Sequence, residues 1–118
     1  MGLWVFNLIM SMLIPLIMIV GGRLFVVRPP KQINPVYGYR TAMSMKNQDT
    51  WNFAHRHCGR IWCRVGGAML PLSVAAMFVF REAGIAVIVI QTLILILSIF
   101  PTEAALKKTF DEDGNRRE

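Results

Sequence analysis

Residues 65–80, VGGAMLPLSVAAMFVF, and residues 83–102, AGIAVIVIQTLILILSIFPT, carry no charged side chain and are separated only by Arg81 and Glu82. A third such run, LWVFNLIMSMLIPLIMIVGG, fills residues 3–22. Uncharged apolar runs near 20 residues are long enough to cross a hydrocarbon layer of about 30 Å as a helix. The 16-residue run covers roughly 24 Å at 1.5 Å per residue, and Arg64 and Arg81 at its ends can reach the two headgroup layers along their own stems. The link Arg81-Glu82-Ala83-Gly84, which takes in the first two residues of the third run, leaves room only for a tight antiparallel turn.

The rest of the composition fits this reading. Of 118 residues 54% are hydrophobic and 17% charged, so a soluble globular enzyme is excluded. The net charge is +6. Eight Lys and Arg residues lie between the first and second runs, four in the tail after the third, and Arg81 stands alone on the opposite side. Twelve against one places the amino terminus outside and the carboxyl terminus in the cytoplasm. Trp4 and Phe6 then belong at the outer interface and Arg23 at the inner one. The first run is expected to be retained rather than cleaved, since no basic region precedes it. The expectation is a single all-α membrane domain over residues 1–118. It has three transmembrane helices (3–22, 65–80 and 83–102), a cytoplasmic loop over 23–64 and a cytoplasmic tail over 103–118.

Arg28-Pro29-Pro30-Lys31 ends the first helix, because a proline has no N–H to donate and biases its predecessor to an extended shape. In Asn34-Pro35-Val36-Tyr37-Gly38-Tyr39-Arg40-Thr41 the Asn-Pro pair starts a turn and Gly38 permits a positive φ. Asn47 is the expected N-cap of the next helix. From there Trp51, Ala54, Cys58, Ile61 or Trp62, and Val65 recur at three- and four-residue spacing. An interfacial amphipathic helix starting near Gln48 is predicted to run into the second span. Beyond Pro101, where a kink or fresh start is expected, Leu106 and Phe110 lie one turn apart beside Lys107 and Lys108. They predict a short amphipathic segment on the inner surface. Asp113-Gly114 should stop that helix and leave residues 115–118 frayed.

Two small-residue clusters, Gly66-Gly67-Ala68 and Ala75-Ala76, are expected to face another helix. Gln91, midway along the third run, is expected to make an interhelical hydrogen bond, because an unpaired amide in hydrocarbon is costly. Glu103 is expected to pair with Arg40 or Arg64. His55, His57, Cys58 and Cys63 do not converge on one helix face, since Cys63 lies about 140° round from Cys58 at 100° per residue, so no metal or other cofactor is expected. No nucleophile–base pair suggests catalysis. The basic residues are assigned to lipid headgroups rather than nucleic acid.

The string from Asn34 to Thr41, followed by Ser44, Asn47, Trp51 and Gly59, resembles the signature of the SdpI/YfhL family. The tail from Pro101 through Glu103, Leu106, Lys107, Lys108 and Phe110 to Asp113-Gly114 is similar to that family's carboxyl end. The family usually carries Asn four residues after the Trp, where this chain has His55. The resemblance implies a bacterial inner-membrane immunity or resistance protein. The family's immunity protein protects a producing cell from a secreted sporulation-delaying toxic peptide and holds a cytoplasmic repressor at the membrane. On that basis Asn34, Tyr37, Gly38, Tyr39, Arg40, Thr41, Ser44, Asn47, Trp51, His55 and Glu103 form the expected ligand or partner site. The partners implied are the lipid bilayer, a toxin peptide, a cytoplasmic regulatory protein and a second copy of the chain. A small oligomeric transporter or lipid-binding module is the alternative function. The Tyr-Gly-Tyr-Arg string also has a purely structural reading, as a shaped turn with interfacial anchors.

Overall fold

The computed structural model describes residues 2–117; its regular elements are all helices, apart from one isolated bridge between Phe110 and Arg116. Helix α1 spans Gly2–Val27, α2 Gln48–Val79, α3 Gly84–Leu97 and α4 Ile99–Thr109. Three helices are long and apolar enough to cross a membrane: α1, α2, and the stacked pair α3–α4 over Gly84–Thr109. α1 and α2 are antiparallel and in contact along most of their length, while α3 leans mainly on α1. The molecule is 55 Å long, which leaves polar material beyond the hydrocarbon layer.

α1 ends at Val27, directly before Arg28-Pro29-Pro30. Its own Pro15 lies mid-helix and buried, so the carbonyl of Ser11, four residues earlier, has no proline N–H to accept. Gln91 of α3 supplies the missing donor. Its Nε2 donates to the Ser11 carbonyl at 2.6 Å and to Ser73 Oγ of α2 at 2.7 Å. The interhelical bond expected of Gln91 is therefore present, and it ties all three spans at one level. Because Nε2 must face the carbonyl, Oε1 is left buried without a partner among the described residues. Pro101 acts in the same way on Leu97, and the third span breaks at Ser98, between α3 and α4, three residues before the proline.

The α1–α2 contact depends on glycine. A Cβ on Gly22 would sit 2.7 Å from the Gly59 carbonyl, and one on Gly66 would sit 2.9 Å from the Pro15 carbonyl. Backbones this close gain dispersion contacts, the main attraction available between helices in lipid. The expected small-residue surface is corrected here. Gly66 meets α1, but Gly67, Ala68 and Ala75 face outward, and nothing lies within 4 Å of a Cβ on Gly67. Those residues sit on the opposite arc of α2, which α3 leaves uncovered. At one end Trp4 Nε1 donates to the Met77 carbonyl at 2.8 Å, and the Arg81 guanidinium lies 4.8 Å from its ring.

The other end is more elaborate. Phe25, Tyr39, Ala54, Cys58, Leu106 and Phe110 form a buried cluster where α1, α2, α4 and the 28–47 loop meet. Leu106 and Phe110 are thus core residues, not an apolar strip laid on a surface. Asn115, Arg116 and Arg117 are not frayed either. Asp111 N–H donates to the Asn115 carbonyl at 2.8 Å, and Arg117 N–H to the Thr109 carbonyl at 2.9 Å. Arg116 also forms a two-pronged pair with Asp49 at 2.8 and 2.9 Å. Gly114, with φ +85°, makes the reversal possible.

If Gln91 replaces a proline's missing donor, its value depends on residue 15. Gln91→Leu should lower the unfolding free energy in detergent by about 0.6–1.7 kcal/mol. In a Pro15→Ala background, where an N–H returns to Ser11, the loss should be smaller. A double-mutant cycle from thermal or denaturant unfolding measures the coupling.

Candidate functional site

Asn34 starts the loop's working section. Its Oδ1 accepts the N–H of Val36 at 3.0 Å and of Tyr37 at 2.6 Å, a side-chain-closed turn that leaves both following side chains outside. Gly38 then takes φ +117°, and a Cβ there would lie 2.6 Å from His55 Nε2 and 3.2 Å from Trp51. The loop passes directly over the first turns of α2 at this glycine.

Tyr39 is buried. Its N–H donates to His55 Nε2 at 2.9 Å, and His55 Nδ1 lies 2.8 Å from the Trp51 carbonyl. An amide N–H requires an acceptor, so Nε2 is bare and the proton is on Nδ1, donated to Trp51. His55 is therefore neutral, and both its nitrogens are used within the fold. The Tyr39 hydroxyl donates to Glu103 Oε1 at 3.0 Å. Burial, and then the adjacent Glu103 carboxylate, raise the Tyr39 phenol well above its ordinary 10.0. The expected pairing of Glu103 with Arg40 or Arg64 is corrected: its partner is a phenol. The loop turns Tyr39 inward and Arg40 outward, since neighbouring residues of an extended segment point to opposite sides.

Ser44 and Thr41 close the next turn. Ser44 Oγ accepts the Thr41 N–H at 2.8 Å and donates toward the Tyr39 carbonyl at 3.0 Å, while Thr41 Oγ1 accepts the Ser44 N–H at 3.2 Å. Asn47 caps α2 in a reciprocal box with Thr50, and its Nδ2 donates to the Gly114 carbonyl at 2.7 Å, fastening the tail. Trp51, fully buried, donates from Nε1 to the Pro30 carbonyl at 2.7 Å and so holds the start of the loop.

The eleven expected residues thus divide. Gly38, Tyr39, Thr41, Ser44, Asn47, Trp51, His55 and Glu103 are brought together, with their polar groups joined to one another or to adjacent backbone. Asn34 shapes the turn. Tyr37, half-exposed, and Arg40, exposed, face outward; no ion pair of Arg40 occurs among the described residues. Tyr37 packs edge-on to Phe25 with ring centroids 6.4 Å apart. It lines an apolar groove of about 490 Å³ along α1, together with Leu16, Ile17, Val20, Leu24, Phe25 and Trp62. The sequence reading missed Phe25, Trp62 and Val36 as part of this region. No sequence signal singled them out; Val36 stands 86% exposed at the turn's tip.

His57 Nδ1 lies 3.0 Å from Thr102 Oγ1, and Cys63 Sγ donates weakly to the Ile19 carbonyl at 3.7 Å. No group of three metal-ligating side chains occurs among the described residues.

Three membrane-length helices with a loop locked across one end define a small multi-pass membrane protein. Residues 31–102 match the model of the SdpI/YfhL protein family, and the chain belongs to that family. A relative from Bacillus subtilis (strain 168), the uncharacterized protein YfhL, is 35% identical over 103 residues, 85% of this chain and 89% of its own. No solved structure matches the chain.

Removing the acceptor beneath Tyr39 should cost about 1–3 kcal/mol, the penalty of an unsatisfied buried N–H. His55→Leu should therefore lower the unfolding midpoint sharply, and Gly38→Ala as well. His55→Asn, shorter but with an accepting oxygen, should lose less, and Arg40→Ala should stay within about 0.5 kcal/mol of the parent.

The tyrosine adds a pH dependence. The folded phenol keeps its proton to higher pH than the unfolded one, so its contribution is complete below about pH 10 and is lost as the pH rises beyond. The stability gap between the parent and Tyr39→Phe, followed by unfolding across the alkaline range, should shrink above that pH.

Proposed function

We propose that this chain is an immunity- or resistance-type membrane protein that captures an apolar, membrane-active peptide in the groove roofed by Tyr37. The amino terminus lies outside, and the loop and tail lie in the cytoplasm, on the strength of the twelve-to-one distribution of basic residues. The observation that carries this reading is the groove. It joins the family's own Tyr37 to the lipid-facing side of α1, so a peptide already dissolved in the bilayer reaches it laterally without crossing to the cytoplasm. Its lining is almost wholly apolar, which suits a peptide helix or tail rather than a charged solute.

The inward half of the loop supplies rigidity and the outward half supplies recognition. Val36, Tyr37 and Arg40 project from a support whose own polar groups are already bonded, which suits presentation of a fixed surface. Arg40 can grip a carboxylate in a planar fork, either on the captured peptide or on a cytoplasmic regulatory protein. The role is binding, and no covalent step enters it.

The test uses a susceptible bacterium expressing the chain and a panel of membrane-active antimicrobial peptides. The parent should raise the inhibitory concentration of at least one peptide. Ile17→Trp, which fills the groove, and Tyr37→Ala should abolish that protection while the purified variants keep their unfolding midpoints. Absence of protection against the whole panel, or protection that survives groove filling, would overturn the reading. In that case the lipid-binding alternative stands in its place.

A further inference from the structure

On the α1–α2 face lies a basic cleft that the family resemblance does not single out. Gly22 and Gly59 mark the closest approach of the two backbones, and each is followed at once by an arginine. The contact that seats the glycines therefore brings Arg23 and Arg60 to the same cleft. Arg64, one turn along α2, is the third. These three, with Val26, Val27 and Cys63, line a space of about 240 Å³. All three arginines are exposed, and no carboxylate pairs with any of them among the described residues. Asp49 is held by Arg116, and Glu103 by Tyr39.

We propose that this cleft binds the phosphodiester headgroup of an anionic glycerophospholipid. Three like charges set around one small space repel one another, and an anion between them removes that cost. Guanidinium forks match phosphate oxygens in two-pronged geometry, and a basic pocket between transmembrane helices is a recurrent headgroup site. The depth agrees. Arg64 is the last charge before the 16-residue uncharged stretch of α2, which places the cleft at the headgroup layer.

The neighbouring surface selects a lipid over free phosphate. Arg23 and Arg28 also border a second depression, about 370 Å³, whose remaining lining is Ile19, Val20, Leu24 and Val27. It runs from these arginines along α1 toward the hydrocarbon. A basic cleft joined through Arg23 to a depression that is basic at its Arg23–Arg28 rim and apolar along Ile19, Val20 and Leu24 reproduces the outline of a headgroup with its acyl chain. A diffuse attraction of the whole basic face to anionic lipid would need no such arrangement.

Native mass spectrometry of the full chain released from detergent, with phosphatidylglycerol, phosphatidylethanolamine or inorganic phosphate added, tests the proposal. One phosphatidylglycerol should remain bound per chain, about tenfold in preference to phosphatidylethanolamine, and inorganic phosphate should not displace it. The triple variant R23Q/R60Q/R64Q should lose that preference. K46Q/K107Q/K108Q, which removes the same charge elsewhere on the same end, should keep it. Equal loss in both triple variants would show diffuse attraction, and displacement by inorganic phosphate would show a free-anion site; either overturns the proposal. Should the cleft variant fail to fold, the parent alone decides. A phosphatidylglycerol with a photoreactive headgroup should label peptides containing Arg23 and Arg60, and labelling spread evenly over the basic end would contradict the site.

Discussion

The amide of Tyr39 is buried, belongs to no helix, and has one acceptor within reach, the bare Nε2 of His55. Much of the basic end depends on that bond. An irregular segment packed against apolar helices must satisfy its own backbone groups, because neither hydrocarbon nor a dry core will do so. Side chains along the first two turns of α2 meet this need. Gln48 and Trp51 take the Lys31 and Pro30 carbonyls, and His55 takes the Tyr39 amide. Gly38 is the only residue type that lets the loop come down far enough, since any Cβ there would collide with the same ring nitrogen. Tyr39 then continues inward to Glu103, so the loop is tied to the third span as well as the second. What remains outside is a short, rigidly backed surface of Val36, Tyr37 and Arg40.

The same requirement operates inside the spans, with proline as its source. Pro15 removes a donor from α1, and the fold answers with Gln91 from another helix. Pro101 removes one from the third span, and the chain opens at Ser98, where Trp62 Nε1 donates to the Ser98 hydroxyl at 3.0 Å. At Pro15 and Pro101 a polar side chain is placed near the backbone that the proline disturbs, and these bonds help set the vertical register of the helices. Glycine sets the lateral spacing: Gly22 and Gly59 let α1 and α2 touch backbone to backbone, which also brings their arginines together.

The spans were legible in the sequence because hydrocarbon forbids charge, so their limits are written in where Arg and Glu stop. The start of α2 was equally plain, since an N-cap acts within three residues of itself and Asn47 and Thr50 carry the whole device. Gln91 was readable as a bonding group but its partner was not. The acceptor is a carbonyl exposed by a proline 76 positions away, and only the packing shows that the two meet. The tail misled because Leu106 and Phe110 look the same whether they lie on a surface or fill a core; the choice belongs to the loop that covers them. Glu103 misled for a related reason. Charge alone favoured arginine, but burial favoured the hydroxyl that reaches it without bringing a second charge out of water. Of the candidate site, the residue types were legible, while the split between an inward support and an outward surface required the backbone path through Gly38.

The family's loop motif is chiefly a support, and the few side chains it turns outward, with the groove beside them, are the proposed recognition surface. His55, where the family usually carries Asn, still serves that support, as a neutral ring with a defined tautomer. The most direct measurement is nitrogen-15 NMR of histidine-labelled protein in detergent at neutral pH, with a His57→Gln variant to assign the ring of residue 55. A protonated Nδ1 with a bare, hydrogen-bond-accepting Nε2 is the predicted result. A protonated Nε2, or a doubly protonated ring, would contradict the account, because the Tyr39 amide would then have nothing to bond.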